Sequence, residues 1–299
     1  MSLLEEYFLY HKNSVEIGDV DPAYPMMDYL CNRFELNTEQ RYWLAFLYSL
    51  TYCGPTAYAI YNRFPDYETV SEWAVGRWWS QMRLKLLFQS DRRWIKSNNL
   101  FPVAISAYKA LIGKGPQADF FNGKLKGDRY ESYRSVSRSL ATLPGYGRFA
   151  LFIYTEALGV VCSLPIEPKQ LDLRDAESSR NGVAFAIGRK DLVTGKAGNG
   201  RHAISASEIG FLQKRLVELV YDFRIRYPNT RADIWNMETT LCAFHKHKKG
   251  QRYVGYYLDR QHAEIAKMQS LIREGVCWDP LWDYRRECLN PIYLKEITK

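Results

Sequence analysis

Most features that announce a specialised architecture are missing from this chain. Its six cysteines, at positions 31, 53, 162, 242, 277 and 288, form no C-x-x-C pair. The sequence therefore offers neither a disulfide framework nor a zinc module, and it fits a reducing compartment. No apolar run approaches the roughly 20 residues of a membrane helix. The opening MSLLEEYFLYHK has no basic segment ahead of an apolar one, so a secretory leader is not expected. With 19 Gly and 12 Pro among 299 residues, collagenous and low-complexity designs are excluded. Strand signals are few, and no repeat recurs at a fixed period.

What is present describes a folded, basic, aromatic-rich chain. Hydrophobic residues make up 46% and charged residues 25%, the balance of a globular protein with a sizeable core. The net charge of +8 favours a polyanionic partner, and the 22 Tyr and 8 Trp can stack on bases. The same numbers equally describe a large aromatic core under a Lys/Arg surface.

Helical patterns dominate. Asn37-Thr38-Glu39-Gln40 reads as an N-cap whose fourth residue reaches back, followed by Trp43, Phe46, Leu47 and Leu50 at helical spacing. That helix is expected to stop near Cys53-Gly54-Pro55, with a second from Thr56 toward Phe64 and a third over Tyr67–Ser90 carrying Trp73, Trp78 and Trp79. Ser205-Ala206-Ser207-Glu208 is a capping box ahead of Ile209, Leu212, Leu216, Leu219, Val220 and Phe223. Further helices are expected over Arg231–Lys248 and Asp259–Arg273. The best strand candidate is Gln251–Leu258, enough for one small β-hairpin, and Gly188–Arg201 reads as a mobile surface loop. The expected organisation is one mainly α-helical unit over residues 1–299.

The sharpest local motif is Leu143-Pro144-Gly145-Tyr146-Gly147-Arg148, set between helix-compatible Ser132–Thr142 and Phe149–Leu158, with Gly159 expected just past the second helix. Helix, L-P-G-x-G, helix resembles the helix-hairpin-helix of the DNA glycosylase superfamily, placed here at about residues 132–158. Two glycines permit a tight turn, and the second helix offers free N–H groups and its positive dipole end to a DNA phosphate. Gly145, Tyr146, Gly147 and Arg148 are the candidate DNA contacts; the alternative is an ordinary αα-hairpin. Asp172 and Asp175 both fall late for the essential glycosylase Asp, and the Lys of bifunctional glycosylases has no counterpart.

Asp175, Ser178, Ser179, Arg180 and Asn181 lie within one short polar stretch. Arg180 can clamp a phosphate or pyrophosphate, Asn181 can read a pyrimidine edge, and the serines can donate to phosphate oxygens. The plainer reading is a helix start with surface charges. Asp91, Arg92, Arg93 and Trp94 suit either a phosphate-holding wedge or a helix end with internal ion pairs. Glu238, inside an apolar helix, is either a base with an altered pKa or half of a buried pair with Arg252 or Arg260. Cys242, His245 and His247 do not have the helical spacing to converge on one metal ion, and Gly195-Lys196 fails the P-loop pattern.

Five strings in order look like one family: Tyr52-Cys53-Gly54-Pro55, Phe88-Gln89-Ser90-Asp91-Arg92, Ser178-Ser179-Arg180-Asn181-Gly182, Glu238-Thr239-Thr240-Leu241-Cys242 and Gly255-Tyr256-Tyr257-Leu258-Asp259-Arg260. Over roughly residues 30–290 they resemble the phage amino acid:DNA transferases, also called α-glutamyl/putrescinyl thymine pyrophosphorylases, which are related to helical DNA glycosylases. The resemblance implies a mainly α, glycosylase-like fold. It also implies replacement, by an amino acid or polyamine, of the pyrophosphate on pyrophosphorylated 5-hydroxymethyluracil in double-stranded phage DNA. Implied as catalytic are Glu238, Asp175, Arg180 and Asn181. Implied as substrate-binding are Asp91, Arg92, Ser178, Ser179, Thr239, Tyr257, Asp259 and Arg260. No residue cluster requires a metal or other cofactor, although Mg²⁺ is compatible with a pyrophosphate. The expected setting is the cytoplasm, that of the host for a phage protein, without membrane contact. A base-excising glycosylase and a non-catalytic DNA-binding protein are the alternatives, and neither the amine nor the oligomeric state is specified.

Overall fold

The computed structural model describes residues 1–195 and 203–290, with Asp91 described by its backbone alone. Those residues are 66% helical and contain no strand. In chain order the helices are α1 (Leu3–Glu16), α2 (Ala23–Arg33), α3 (Thr38–Thr51), α4 (Gly54–Arg63), α5 (Glu72–Met82), α6 (Arg93–Ser97), α7 (Phe101–Ile112) and α8 (Gln117–Asn122). They continue with α9 (Arg129–Leu140), α10 (Arg148–Val161), α11 (Glu177–Ala186), α12 (Ala206–Arg226), α13 (Ile234–His247), α14 (Tyr256–Leu271) and α15 (Asp279–Cys288). The expected mainly α class is what the chain adopts. No helix is long and apolar enough to cross a membrane.

Two units form. The first joins Met1–Pro22 to Pro168–Asp259, and the second joins Ala23–Glu167 to the described residues from Arg260 onward, so the division falls inside α14.

In the second unit α3 is the central element. Asn37 Oδ1 accepts the Gln40 N–H at 3.0 Å and Gln40 Oε1 accepts the Asn37 N–H at 3.0 Å, the reciprocal cap its sequence announces. Every residue from Tyr42 to Thr51 is then buried, because α4, α8 and α10 cover α3 on several sides. Aromatics fill the space between these helices. Phe46 and Tyr108 stack with centroids 3.7 Å apart, and Tyr154 donates to Tyr108, which donates to Gln117. Much of the aromatic content is therefore core rather than a stacking surface.

Helices α9 and α10 flank the Leu143–Gly147 turn. Gly145 sits at φ +79°, and a Cβ on it would lie 2.5 Å from the Trp94 ring, so both the backbone conformation and the space require glycine. Arg92 ties the turn down with two 3.1 Å bonds to the Gly145 carbonyl. Gly159 does not end α10, which continues to Val161. Leu158 and Val161 are fully buried, and that burial outweighs the roughly 1 kcal/mol helix cost of one glycine. The helix expected over Tyr67–Ser90 covers only Glu72–Met82. Beyond it Lys96 Nζ takes the carbonyls of Leu84 and Leu86, and Thr56 brackets Leu87, so tertiary bonds replace the helical ones.

In the first unit α13 packs against α1, α11 and α12. Capping boxes start α1 (Ser2 with Glu5), α12 (Ser205 with Glu208) and α13 (Asp233 with Asn236). His11 of α1 is buried among Thr240, 2.7 Å from Nδ1, and the Arg231 carbonyl, 3.1 Å from Nε2. Because the carbonyl can only accept, Nε2 carries the proton and Nδ1 accepts from the threonine.

Two expectations are corrected here. Gln251–Leu258 is not a strand: α14 begins at Tyr256, because the buried Asp19 carboxylate accepts the N–H groups of Gly255, Tyr257 and Leu258 at 2.8, 2.8 and 3.0 Å. This cap arrives from more than two hundred residues away in sequence. Gly188–Gly195 is not a free surface loop, since Leu192, Val193 and Thr194 are buried. Residues 196–202 of that stretch lie outside the described residues.

Candidate active site

Along one helix the first unit gathers three of the family-like strings. Glu238, Cys242 and Lys246 recur every four residues on α13, so their side chains form one stripe. The start of α11 lies against it. Ser179 donates its hydroxyl to Glu238 Oε1, the Ser178 oxygen and Cys242 sulfur are 2.9 Å apart, and Lys246 Nζ donates to Cys242 Sγ at 3.4 Å. Gly182 makes the approach feasible: a Cβ there would meet the backbone carbon and oxygen of Leu241 at 2.5 Å. Only the absent side chain lets the two helix backbones meet.

Arg252 joins this cluster from the turn before α14. Its guanidinium donates to the Tyr257 hydroxyl and lies 4.8 Å from the ring centroids of both Tyr256 and Tyr257. Burial works against the Arg252 charge, yet Tyr257, Cys242 and Tyr256 hold its pKa above the ordinary value. Burial raises the Tyr257 phenol well above its usual range, so it accepts as a neutral group. Asp19, which fixes the start of α14, is pushed up to about 7 by burial against its three N–H donors. Among the described residues neither Lys246 nor Arg252 has a carboxylate partner.

A separate polar cluster lies in the second unit. Glu264 pairs through Oε1 with Arg260 Nε at 2.8 Å, while Cys53 Sγ is 3.7 Å from Oε2 and the Gln89 amide reaches the same carboxylate. Burial raises the Glu264 carboxyl above the usual range, and Arg260 opposes it. Tyr52, at φ +47°, places its ring under the Arg260 guanidinium and edge-on to Phe149 in the first turn of α10. That helix start has no side-chain cap, and Gly147 is exposed.

Residues 15–253 match the family model described as amino acid:DNA transferase. The chain belongs to that family. The serinyltransferase of Salmonella phage ViI is 28% identical over 264 residues, covering 83% of this chain and 63% of the phage protein. The chain thus spans less than two thirds of that relative's length. No solved structure matches. The stretch matching the amino acid:DNA transferase family contains the whole α13 stripe and Arg252, and it stops before Arg260 and Glu264.

Within this chain the anticipated site residues divide. Ser178, Ser179 and Glu238 meet at the seam between the start of α11 and α13, and Arg252 lies beside both Cys242 of that seam and Tyr257. Arg180 does not face outward. Its guanidinium donates to the carbonyls of Leu173 and Arg174 at 3.0 and 2.6 Å and to Thr194 Oγ1 at 3.1 Å, because the buried coil on either side of α11 needs donors. Asn181 likewise spends both ends of its amide on Thr194, accepting its N–H at 3.0 Å and donating to its carbonyl at 3.1 Å. In this conformation neither is free to clamp a phosphate or read a base. Asp175 is exposed beside the start of α11, Thr239 is buried off the stripe, and Asp259 accepts from Tyr253.

In the second unit Arg92 is buried on Gly145, and Arg260 pairs with Glu264. The Asp91 side chain lies outside the described residues. Tyr146 is a core residue, its ring buried and its hydroxyl bonded to Ser49, so the DNA contact expected of it is not available to its side chain. Gly147 and Arg148 remain at the helix start. Sequence reasoning missed Lys246, Cys242 as a hub, and Glu264. The four-residue spacing from Glu238 was the one available signal for Cys242 and Lys246. Among the described residues no three His, Cys, Asp or Glu side chains gather to hold a metal ion.

Proposed function

We propose that the protein transfers an amine, in the first instance that of an amino acid, onto a modified thymine in DNA. The family match over residues 15–253, which spans the seam, carries this reading. In the proposed reaction the bond between the exocyclic methylene carbon and the pyrophosphate oxygen breaks, and its electron pair leaves with pyrophosphate. A carbon–nitrogen bond forms in its place, and the ammonium proton passes to a carboxylate, since an amine is nucleophilic only when neutral. Glu238 takes that proton; the Ser179 hydroxyl orients it. The target base leaves the stack to react, at a cost of a few kcal/mol. DNA phosphate is met by the exposed Gly147 turn and uncapped start of α10, contacts that position without reading sequence.

The test incubates the protein with DNA bearing pyrophosphorylated 5-hydroxymethyluracil and a panel of glycine, serine, glutamate and putrescine. The expected result is pyrophosphate release coupled to a nucleoside mass gain, lost in Glu238→Gln. Free base with abasic DNA would establish a glycosylase instead, and DNA binding without any change would leave a binding protein.

A further inference from the structure

Among the described residues, two half-buried cations beside the seam have no carboxylate bonded to them. Among those residues the Lys246 ammonium meets the Cys242 sulfur, and the Arg252 guanidinium meets a phenol oxygen and two aromatic rings. Holding a cation partly out of water without a carboxylate costs free energy that most surface Lys and Arg avoid. Elsewhere in the same unit Lys248 pairs with Glu6 and Arg231 with Asp233, so acidic partners are within the repertoire of this surface. Donor groups beside them are the Ser178 hydroxyl and the first turn of α11, which has no side-chain cap and carries Glu177. Glu238 stands two turns before Lys246 on the same face of α13, its Oε1 occupied by Ser179.

We propose that Lys246 and Arg252 are the binding site for the pyrophosphate group, with Ser178 as an additional donor. The assignment rests on the transferase reading above and moves the pyrophosphate from Arg180, which is buried with both Nη groups bonded to Leu173, Arg174 and Thr194. Lys246 supplies a compact charge at one end of the stripe. Arg252 is flanked by the rings of Tyr256 and Tyr257, and one of its Nη groups is tied to the Tyr257 hydroxyl, so its fork is positioned before a phosphate oxygen arrives. Such donors, fixed before the substrate arrives, stabilise the charge that grows on pyrophosphate as its bond to carbon breaks. Tyr257 is then a positioning residue acting through Arg252.

The experiment uses the full chain and two readouts. Binding of inorganic pyrophosphate is measured by titration calorimetry, and turnover is measured on pyrophosphorylated DNA with the amine panel. Lys246→Gln and Arg252→Gln are compared with the exposed-surface control Lys214→Gln, and thermal melting confirms that each variant is folded. Each site variant should weaken pyrophosphate binding by about tenfold or more, the double variant should abolish it, and the control should match wild type. Tyr257→Phe should weaken pyrophosphate binding less than Arg252→Gln, by loosening the guanidinium rather than removing it. If wild type turns over while both site variants keep pyrophosphate affinity and kcat/KM within about twofold, the assignment is overturned and the transferase reading stands. If pyrophosphate binds and is lost in the variants but no amine is transferred, the anion site stands and the reaction is wrong. Absence of both binding and turnover in wild type overturns both.

Discussion

Replacing Gly182 with alanine sets two effects of opposite sign against each other. In a helix with room to spare, glycine to alanine stabilises by about 1 kcal/mol. Gly182 has no room: the added methyl would lie 2.5 Å from the Leu241 carbon and oxygen and 3.0 Å from the Cys242 nitrogen, all backbone atoms. Reaching ordinary contact requires α11 and α13 to separate by about 1 Å, and overpacking of that kind costs roughly 1–3 kcal/mol, sometimes more. The overlap wins, so Gly182→Ala should be destabilised by about 1–2 kcal/mol in urea unfolding. Activity should fall further than stability explains, because the same displacement pulls Ser179 from Glu238 and Ser178 from Cys242. The assay pairs urea melts with kcat on pyrophosphorylated DNA. A variant as stable as wild type or more so, with unchanged kcat, would refute the claim that backbone contact builds the seam.

Other expectations follow from individual groups. Burial lowers His11 from 6.5 to about 4, so it is neutral when folded; the stability it contributes is full above pH 6.5 and is lost as pH falls toward 4. The shift corresponds to at most about 3 kcal/mol, and a pH series of urea melts on His11→Gln should show a flatter acid limb. Asp19→Asn leaves α14 with a weaker cap and should cost about 1 kcal/mol, read by thermal melting, with hydrogen exchange rising at Tyr257 and Leu258. Arg180→Ala strands the carbonyls of Leu173 and Arg174 and should destabilise by about 2–3 kcal/mol, whereas pyrophosphate affinity of the remaining folded fraction should be retained. Gly147→Val should weaken binding to every DNA sequence alike, and wild-type affinity should fall steeply with salt in electrophoretic shifts.

The parts of this fold that could be read from sequence are those whose cause lies within a few residues. Asn37 with Gln40 and Ser205 with Glu208 name their helix starts because both partners of each cap share one turn. The start of α14 is different: its cap is Asp19, and no local pattern distinguishes that aspartate from any other. The seam follows the same division. Ser178, Ser179 and Glu238 were singled out by residue type and do come together. Arg180 and Asn181 look like ligand-binding groups by type, but Thr194 and the Leu173–Arg174 carbonyls claim them. Cys242 read against His245 and His247 suggests a failed metal site. Read at spacing four, against Glu238 and Lys246, it marks the face that matters. Lys246 carries no signature of its own, since what distinguishes it is that no carboxylate among the described residues is bonded to it.

The first unit is assembled from two pieces of chain separated by the whole of Ala23–Glu167. During synthesis α1 emerges ahead of the other helices of its unit, with Tyr7, Phe8, Tyr10 and His11 on the face it will bury. The helices that cover this face, α11 and α13, lie beyond Pro168. At ribosomal rates of roughly 5–20 residues per second, that apolar face waits on the order of ten seconds or longer for its partners. The nascent protein therefore passes through a stage in which α1 is a sticky, unpartnered amphipathic segment. Chaperone dependence and aggregation on overexpression should trace to α1 rather than to the aromatic core of the second unit, whose helices α3, α4, α8 and α10 are all complete before α11 has been made.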